Sequence, residues 1–107
     1  MTNQNRIDSL IQMLSQEPQD EFLNYALGLE YSNSSENYLK AELQFKKVIA
    51  NNGSYIAAYF QLGKLYELMN QKELALEQYR FGLDLAKIQK DNKATNELSE
   101  AIFMLED

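Results

Sequence analysis

Carboxylates, lysines and tyrosines are the side chains left for acid–base chemistry in this sequence, which has neither cysteine nor histidine. Without those two residue types there are no thiol nucleophiles, no imidazole bases and no thiolate zinc sites. Acidic pairs occur at Asp20/Glu21 and at Glu97/Glu100, and such pairs can act as acid and base or hold a hard cation. Neither pair has a second partner, and both fall on expected solvent faces, so we interpret them as solubilising charge.

Glycine spacing, net charge and hydropathy exclude further functional classes. The four glycines, at positions 28, 53, 63 and 82, are too scattered to form a phosphate-binding loop. The net charge of −6 argues against binding to nucleic acid or to an anionic membrane, which needs clustered lysine and arginine. The longest apolar run, residues 55–60, is too short to span a bilayer, and the polar N-terminus does not resemble a signal peptide. We therefore expect a cytoplasmic protein that is not an enzyme and needs no cofactor and no metal.

The clearest pattern, over residues 55–85, predicts a helical hairpin. The packing face of its first helix has the i, i+3, i+4, i+7 spacing of a single helix face: Tyr59, Leu62, Gly63 and Tyr66. Polar residues 69–72 predict the turn, and a matching face follows in the second helix: Leu74, Ala75, Gln78 and Tyr79. Helices joined by a short turn pack closely, so small residues such as Gly63, Ala75 and Gly82 are expected where the backbones approach.

The same spacing occurs twice. It reads Tyr59-x2-Leu62-Gly63-x2-Tyr66 followed by Ala75-x3-Tyr79, and one period earlier Asn24-x2-Leu27-Gly28-x2-Tyr31 followed by Ala41-x3-Phe45. Both copies resemble the tetratricopeptide repeat (TPR), whose pattern is W-x2-L-G-x2-Y, then A-x3-F, then P. Asn24 stands where the family has an aromatic residue, and Gly53 stands where the closing proline is expected. The earlier copy has one additional residue between Tyr31 and Ala41, which predicts a longer turn.

This resemblance implies an all-α fold, a right-handed superhelical stack of antiparallel helix hairpins in a TPR-like α-solenoid of about six helices. We expect a single domain over residues 1–107, similar to short stand-alone bacterial TPR proteins. Its parts are an N-terminal half-repeat at residues 5–16, repeat 1 at 20–52, repeat 2 at 54–89 and a C-terminal capping helix at 93–106. Ser54 is expected to be the N-cap of the first helix of repeat 2.

The two ends of the chain are helical by periodicity alone. The N-terminal stripe has four members and resembles the second helix of a repeat: Ile7, Leu10, Ile11 and Leu14. The packing face of the last helix has five members: Ala94, Leu98, Ala101, Ile102 and Leu105. Both helices are expected to cover the apolar ends of the repeat stack. Phe103 and Met104 fall outside the packing face of the last helix.

A second stripe, on the first helix of each repeat, is the candidate partner site. It has seven members: Phe22, Tyr25 and Leu29 in repeat 1, and Phe60, Gln61, Lys64 and Glu67 in repeat 2. In TPR proteins the first helices of successive repeats line a concave groove. The resemblance therefore implies a non-enzymatic module that binds a protein or peptide through this stripe. The lysine and asparagine clamp with which some family members hold acidic tails is absent, which favours an apolar peptide with some positive charge.

Burial of the stripe within the protein is the open alternative. The N-terminal residues, the terminal helix or a second copy of the chain could cover it. A homodimer or larger homo-oligomer, formed through the stripe or through Phe103 and Met104, is therefore the alternative function.

Overall fold

Six α-helices and one short 3-10 helix make up most of residues 4–106, the part of the chain that our computed structural model describes. Their bounds are α1 (Gln4–Gln16), α2 (Glu21–Tyr31), the 3-10 helix (Ser35–Asn37), α3 (Tyr38–Asn51), α4 (Ile56–Leu68), α5 (Lys72–Gln89) and α6 (Asn92–Leu105). No strand occurs within these residues. The predicted all-α fold of helix hairpins is confirmed.

The chain divides after Gly53 into two compact units. In unit 1, α2 and α3 form a hairpin, and α1 packs against α2. In unit 2, α4 and α5 form the second hairpin, and α6 packs against α5. Residues 69–71 alone separate α4 from α5, whereas the connection between α2 and α3 contains the 3-10 helix. The additional residue of the first hairpin therefore lies in a longer turn, as the sequence predicts.

The core of unit 1 lies between α2 and α3. Phe45 is fully buried there, together with Leu27, Ala41 and Val48. A Cβ atom on Gly28 would lie 2.6 Å from Cε1 of Phe45, far inside the normal contact distance between carbon atoms. The backbone of α2 therefore runs directly against the aromatic ring, which only a glycine at this position allows.

Unit 2 repeats this arrangement, with Tyr79 in the place of Phe45. A Cβ atom on Gly63 would lie 2.5 Å from Cε1 of Tyr79. At Gly82 of α5, an added Cβ would lie 3.1 Å from Cβ of Tyr59 on α4 and 3.3 Å from both Cδ atoms of Leu98 on α6. Helix α5 is thus flanked by α4 and by α6, and the predicted close approach of the backbone at these glycines is confirmed.

The start of α2 is fixed by two polar side chains. Oδ1 of Asp20 accepts a hydrogen bond from the amide of Leu23 at 2.8 Å, which makes Asp20 the N-cap. Asn24, at the position of the family's aromatic residue, is 1% exposed. Its Nδ2 donates to the carbonyl oxygens of Pro18 at 3.0 Å and Asp20 at 2.8 Å. The asparagine therefore replaces an apolar contact by two hydrogen bonds that tie the preceding turn to the helix.

The starts of α4 and α6 differ. Asp91 is the N-cap of α6, since its Oδ1 accepts a hydrogen bond from the amide of Ala94 at 3.0 Å. The prediction that Ser54 is the N-cap of α4 is wrong, because that helix begins at Ile56 and Tyr55 precedes it without a side-chain capping bond. Ser54 lies one residue earlier, in the turn, and an N-cap must directly precede the helix to reach its first free amides.

Candidate partner-binding surface

Helix α4 brings three of the predicted stripe residues to one pocket. Phe60, Lys64 and Glu67 lie at i, i+4 and i+7, hence on one face of the helix, and they line a cavity of about 300 Å³. Three further side chains complete the wall of this α4–α6 pocket: Leu68 from α4, Tyr79 from α5 and Ala101 from α6. All three helices of unit 2 therefore determine the shape of the pocket.

Two aromatic rings form the apolar wall of the α4–α6 pocket. The ring centroids of Phe60 and Tyr79 are 5.9 Å apart and their planes are inclined by 45°, a favourable tilted arrangement. Phe60 is half-buried and Leu68 is 56% exposed, so apolar surface is accessible at the mouth. A concave surface of this kind is suited to accept one apolar side chain of a partner.

Lys64 and Glu67 supply the charge of the pocket. Nζ of Lys64 lies 5.4 Å from the centroid of the Phe60 ring, which is a cation–π distance. Oε2 of Glu67 accepts a hydrogen bond from the hydroxyl of Tyr79. This bond is charge-assisted and holds the carboxylate against the aromatic wall. The Lys64 side chain is exposed and presents its ammonium group to whatever enters the pocket.

Two tyrosines of unit 2 are held in their protonated form: Tyr79 in the pocket wall and Tyr59 outside the pocket lining. Burial raises the pKa of Tyr79, and the hydrogen bond and negative charge of Glu67 raise it further. Burial also raises the pKa of Tyr59. A general base needs a pKa close to the operating pH. Both shifts move these tyrosines away from that role, so each ring acts through packing and Tyr79 also acts as a hydrogen-bond donor.

The remaining stripe residues do not join this pocket. Gln61 is half-buried on α4 and is not part of the pocket lining. In unit 1, Leu29 is half-buried, and the ring of Tyr25 lies 5.9 Å from that of Phe45. Phe22 is 68% exposed and lines a separate cavity between α1 and α2. Within unit 1, therefore, the stripe is divided between the hairpin and this second cavity.

This second cavity, the α1/α2 groove, has a volume of about 400 Å³. Its lining residues are Asn5, Arg6, Ser9, Leu10 and Met13 from α1, and Phe22, Ala26 and Glu30 from α2. The guanidinium of Arg6 lies 3.0 Å from the carboxylate of Glu30, and their side chains are 75% and 10% exposed. The ion pair links α1 to α2 while the cation stays in contact with solvent. Sequence periodicity predicted the packing of α1 but gave no signal for this pair, since its members belong to different helices.

Helix α6 exposes an apolar pair outside its packing face. Phe103 and Met104 are 77% and 74% exposed, whereas Leu98 is buried against α5. The other four residues of the predicted packing face are half-buried: Ala94, Ala101, Ile102 and Leu105. Single exposed apolar residues are common, but two adjacent large ones form a candidate contact surface.

The acidic pairs occupy structural or solvated places. Asp20 caps α2, and Oε1 of Glu21 accepts a hydrogen bond from Nδ2 of the Asn52 side chain at 3.2 Å. Glu97 and Glu100 are exposed on α6. Across residues 4–106, no group of three or more acidic side chains could hold a metal ion. In the same part of the chain, no helix has the length and apolarity needed to cross a bilayer.

Solved structures of tetratricopeptide repeat proteins are similar to most of this chain. The NMR structure of a tetratricopeptide repeat domain protein from Salinibacter ruber is 30% identical, with a TM-score of 0.77, and the match covers 83% of this chain and 89% of that chain. A crystal structure of a tetratricopeptide repeat domain protein from the same organism is 29% identical, with a TM-score of 0.72 and coverages of 80% and 94%. The solution structure of a Bordetella parapertussis protein, at 23% identity, has a TM-score of 0.81 and coverages of 92% and 85%. No family model and no curated protein matches the chain significantly.

Proposed function

Because the chain belongs to the tetratricopeptide repeat family, we propose that it is a non-enzymatic module that binds a protein or peptide partner. Repeats of this family generally mediate protein interactions. The partner contacts in this proposal are made by the stripe residues of α2 and α4, of which Phe22, Lys64 and Glu67 are exposed and the other four are half-buried. Its principal site is the α4–α6 pocket of unit 2.

The accessible aromatic surface beside Lys64 is the observation that carries this proposal. The pocket volume of about 300 Å³ is at the lower limit of the range for small-molecule sites, roughly 300–1,000 Å³, and suits one inserted side chain. Phe60 and Tyr79 provide the apolar wall, while Lys64 and Glu67 provide polar groups that orient the backbone of the ligand. Aromatic anchors surrounded by polar groups are typical of binding hot spots.

The partner is proposed to be an extended or helical peptide with one large apolar residue and some positive charge. The net charge of −6 favours such a partner through long-range attraction. Phe22, Tyr25 and Leu29 on α2, together with Gln61 on α4, are the further contact residues in this proposal. Phe22 offers the largest accessible surface of these four, being 68% exposed.

Selection from a library of displayed random peptides tests the proposal on the full chain. We expect enriched peptides to share a large apolar residue, and their affinity, measured by fluorescence polarisation, to fall at least about tenfold with Phe60→Ala. Ala101→Leu, which fills the pocket without removing a contact, should weaken binding in the same way. Ile88→Ala is the matched control, because Ile88 is 75% exposed on α5 and lies outside the pocket lining.

Two results would refute this assignment. The first is the absence of enriched peptides at protein concentrations at which the chain is folded. The second is a set of peptides whose affinity is the same for Phe60→Ala, Ala101→Leu and Ile88→Ala. Thermal melts of each variant distinguish lost binding from lost folding, which matters because Phe60 is half-buried.

Self-assembly is the second candidate function. The exposed Phe103 and Met104 of α6 favour it, since neither side chain lines the α4–α6 pocket or packs within the core. This candidate uses different residues from the peptide site, so the two functions are compatible.

A further inference from the structure

Helices α1 and α6 each have one packed side and one accessible apolar side. Ile7 of α1 and Leu98 of α6 are buried, at 2% and 1% exposure. On the accessible sides, Met13 of α1 is 49% exposed, and Phe103 and Met104 of α6 are more than 70% exposed. A repeat of this family cannot bury its apolar face alone, and stacked neighbours bury it in a continuous core.

Unit 2 shows how this chain covers the second helix of a hairpin. Helix α5 packs against α4, its hairpin partner, and against α6, the helix that follows. Gly82 of α5 lies against Tyr59 of α4 and Leu98 of α6. The second helix of unit 2 is therefore covered by two first helices, α4 preceding it and α6 following it.

Helix α1 has the sequence pattern of a second helix, and it packs against α2 as α5 packs against α6. The place that corresponds to α4 is the α1/α2 groove, which is concave and accessible along both helices. Its apolar lining includes Leu10, Met13 and Phe22. The groove therefore has the position and the surface that receive a first helix elsewhere in the same chain.

Helix α6 has the complementary property. It follows α5 as a first helix follows a second, and its outward side carries Phe103 and Met104. Glu100 lies three residues before Phe103, hence on the same side, and is exposed. The Arg6 side chain in the groove is 75% exposed and forms an ion pair with Glu30. A guanidinium has five N–H donors, so Arg6 can also bind a carboxylate such as that of Glu100.

We propose that α6 of one copy of the chain docks into the α1/α2 groove of a second copy, so that the two helices complete one hairpin. This inference rests on the self-assembly candidate and is independent of the α4–α6 pocket. The interface is heterologous, because the groove and the helix are different surfaces of the same chain. Copies therefore associate head to tail, either into a closed ring or into open filaments whose length increases with protein concentration.

Complementation between two variants tests this geometry. Phe22→Glu places a charge in the groove, and Phe103→Glu places a charge on the docking side of α6. Both phenylalanines are exposed, so neither substitution disturbs the core. We expect the unmodified chain to associate with concentration in sedimentation experiments, and each variant alone to associate at least tenfold more weakly. An equimolar mixture of the two should form a 1:1 heterodimer, since one intact groove and one intact helix are present. Ile88→Glu is the control and should associate like the unmodified chain.

Each other outcome overturns a defined part of the proposal. If the chain is a monomer at all concentrations up to about 1 mM, the dissociation constant of a very weak complex, self-assembly is overturned. The peptide test of Phe60→Ala is unaffected by this result. Association without complementation indicates a two-fold symmetric contact and overturns the head-to-tail geometry alone. If Ile88→Glu weakens association as much as Phe103→Glu does, the role of α6 is overturned.

Disulfide trapping gives a second measurement, because the chain has no native cysteine. Ser9 lines the groove, and Ser99 is exposed on α6 one turn before Phe103. Under mild oxidation, a mixture of Ser9→Cys and Ser99→Cys should yield mixed dimers in excess over either variant alone. Equal yields in the mixture and in the separate variants would contradict docking of α6 in the groove.

Discussion

Gly63→Ala tests the packing on which both the hairpin and the pocket of unit 2 depend. The added methyl carbon would lie 2.5, 2.7 and 2.9 Å from three carbons of the Tyr79 ring, compared with about 3.5–4.0 Å for an unstrained contact. The ring must therefore move by about 1 Å. Its movement is restricted, because Tyr79 is 1% exposed and its hydroxyl is bonded to Glu67.

The expected magnitude follows from two opposing effects. Overpacking of a well-filled core costs about 1–3 kcal/mol. Because the Tyr79 ring is held on both sides, the cost of moving it lies in the upper part of this range. Alanine recovers about 0.8–1.0 kcal/mol through its higher helix propensity. We therefore expect Gly63→Ala to lower the free energy of unfolding by about 1–2 kcal/mol. For a chain of this size that lowers the melting temperature by roughly 5–15 °C.

Urea denaturation followed by far-ultraviolet circular dichroism measures this loss, and Gly82→Ala is the matched control. An added Cβ at Gly82 would meet its nearest neighbours at 3.1–3.3 Å, so small adjustments suffice and the propensity gain offsets them. We expect Gly82→Ala to lie within about 0.5 kcal/mol of the unmodified chain. Equal stability of Gly63→Ala and the unmodified chain, or equal losses at both glycines, would refute the packing argument.

Three further substitutions probe other parts of the fold. Tyr79→Phe should cost about 1.5–3 kcal/mol at neutral pH through the lost hydrogen bond to the Glu67 carboxylate. Because the folded state raises the pKa of Tyr79, its contribution is complete below the unfolded value near 10 and is lost as the pH rises beyond it. Urea titrations above pH 10 should therefore show a steeper fall for the unmodified chain than for Tyr79→Phe. Lys90 directly follows α5 and has a φ of 59°, a left-handed conformation that favours glycine. Lys90→Gly should therefore raise the melting temperature by an amount equivalent to about 0.5–1 kcal/mol. A lower melting temperature would contradict this. Asp91→Ala removes the cap of α6 and should cost about 1 kcal/mol, which a melt of the variant at neutral pH would detect; an unchanged melting temperature would show that the cap contributes little.

Local spacing was sufficient to predict the hairpins, the packing glycines and the face that α4 presents. Phe60, Lys64 and Glu67 share a face by helical geometry alone, and Gly63 opposite Tyr79 follows from the repeat motif. These relations extend over one or two turns of helix, or over one hairpin whose turn is short. Whether the pocket residues bind a partner stays a prediction.

Relations between helices could not be predicted in the same way. Ala101 faces the pocket because of how α6 is rotated against α5, which periodicity does not determine. The Arg6–Glu30 pair similarly depends on the alignment of α1 along α2. Ser54 has the composition of an N-cap, but the backbone of the turn places the start of α4 two residues later, and cap composition is common in turns as well.

The ring of Tyr79 is shared by two surfaces, since one side supports Gly63 and another forms the wall of the α4–α6 pocket. Changes of ligand preference cannot readily arise at this residue, because any substitution there also alters the fit of α4 on α5. Diversification is therefore expected at Leu68, which lines the pocket and is 56% exposed. If the pocket binds peptides, homologues that recognise different ones should differ at this position while retaining the glycine and the aromatic residue that face each other.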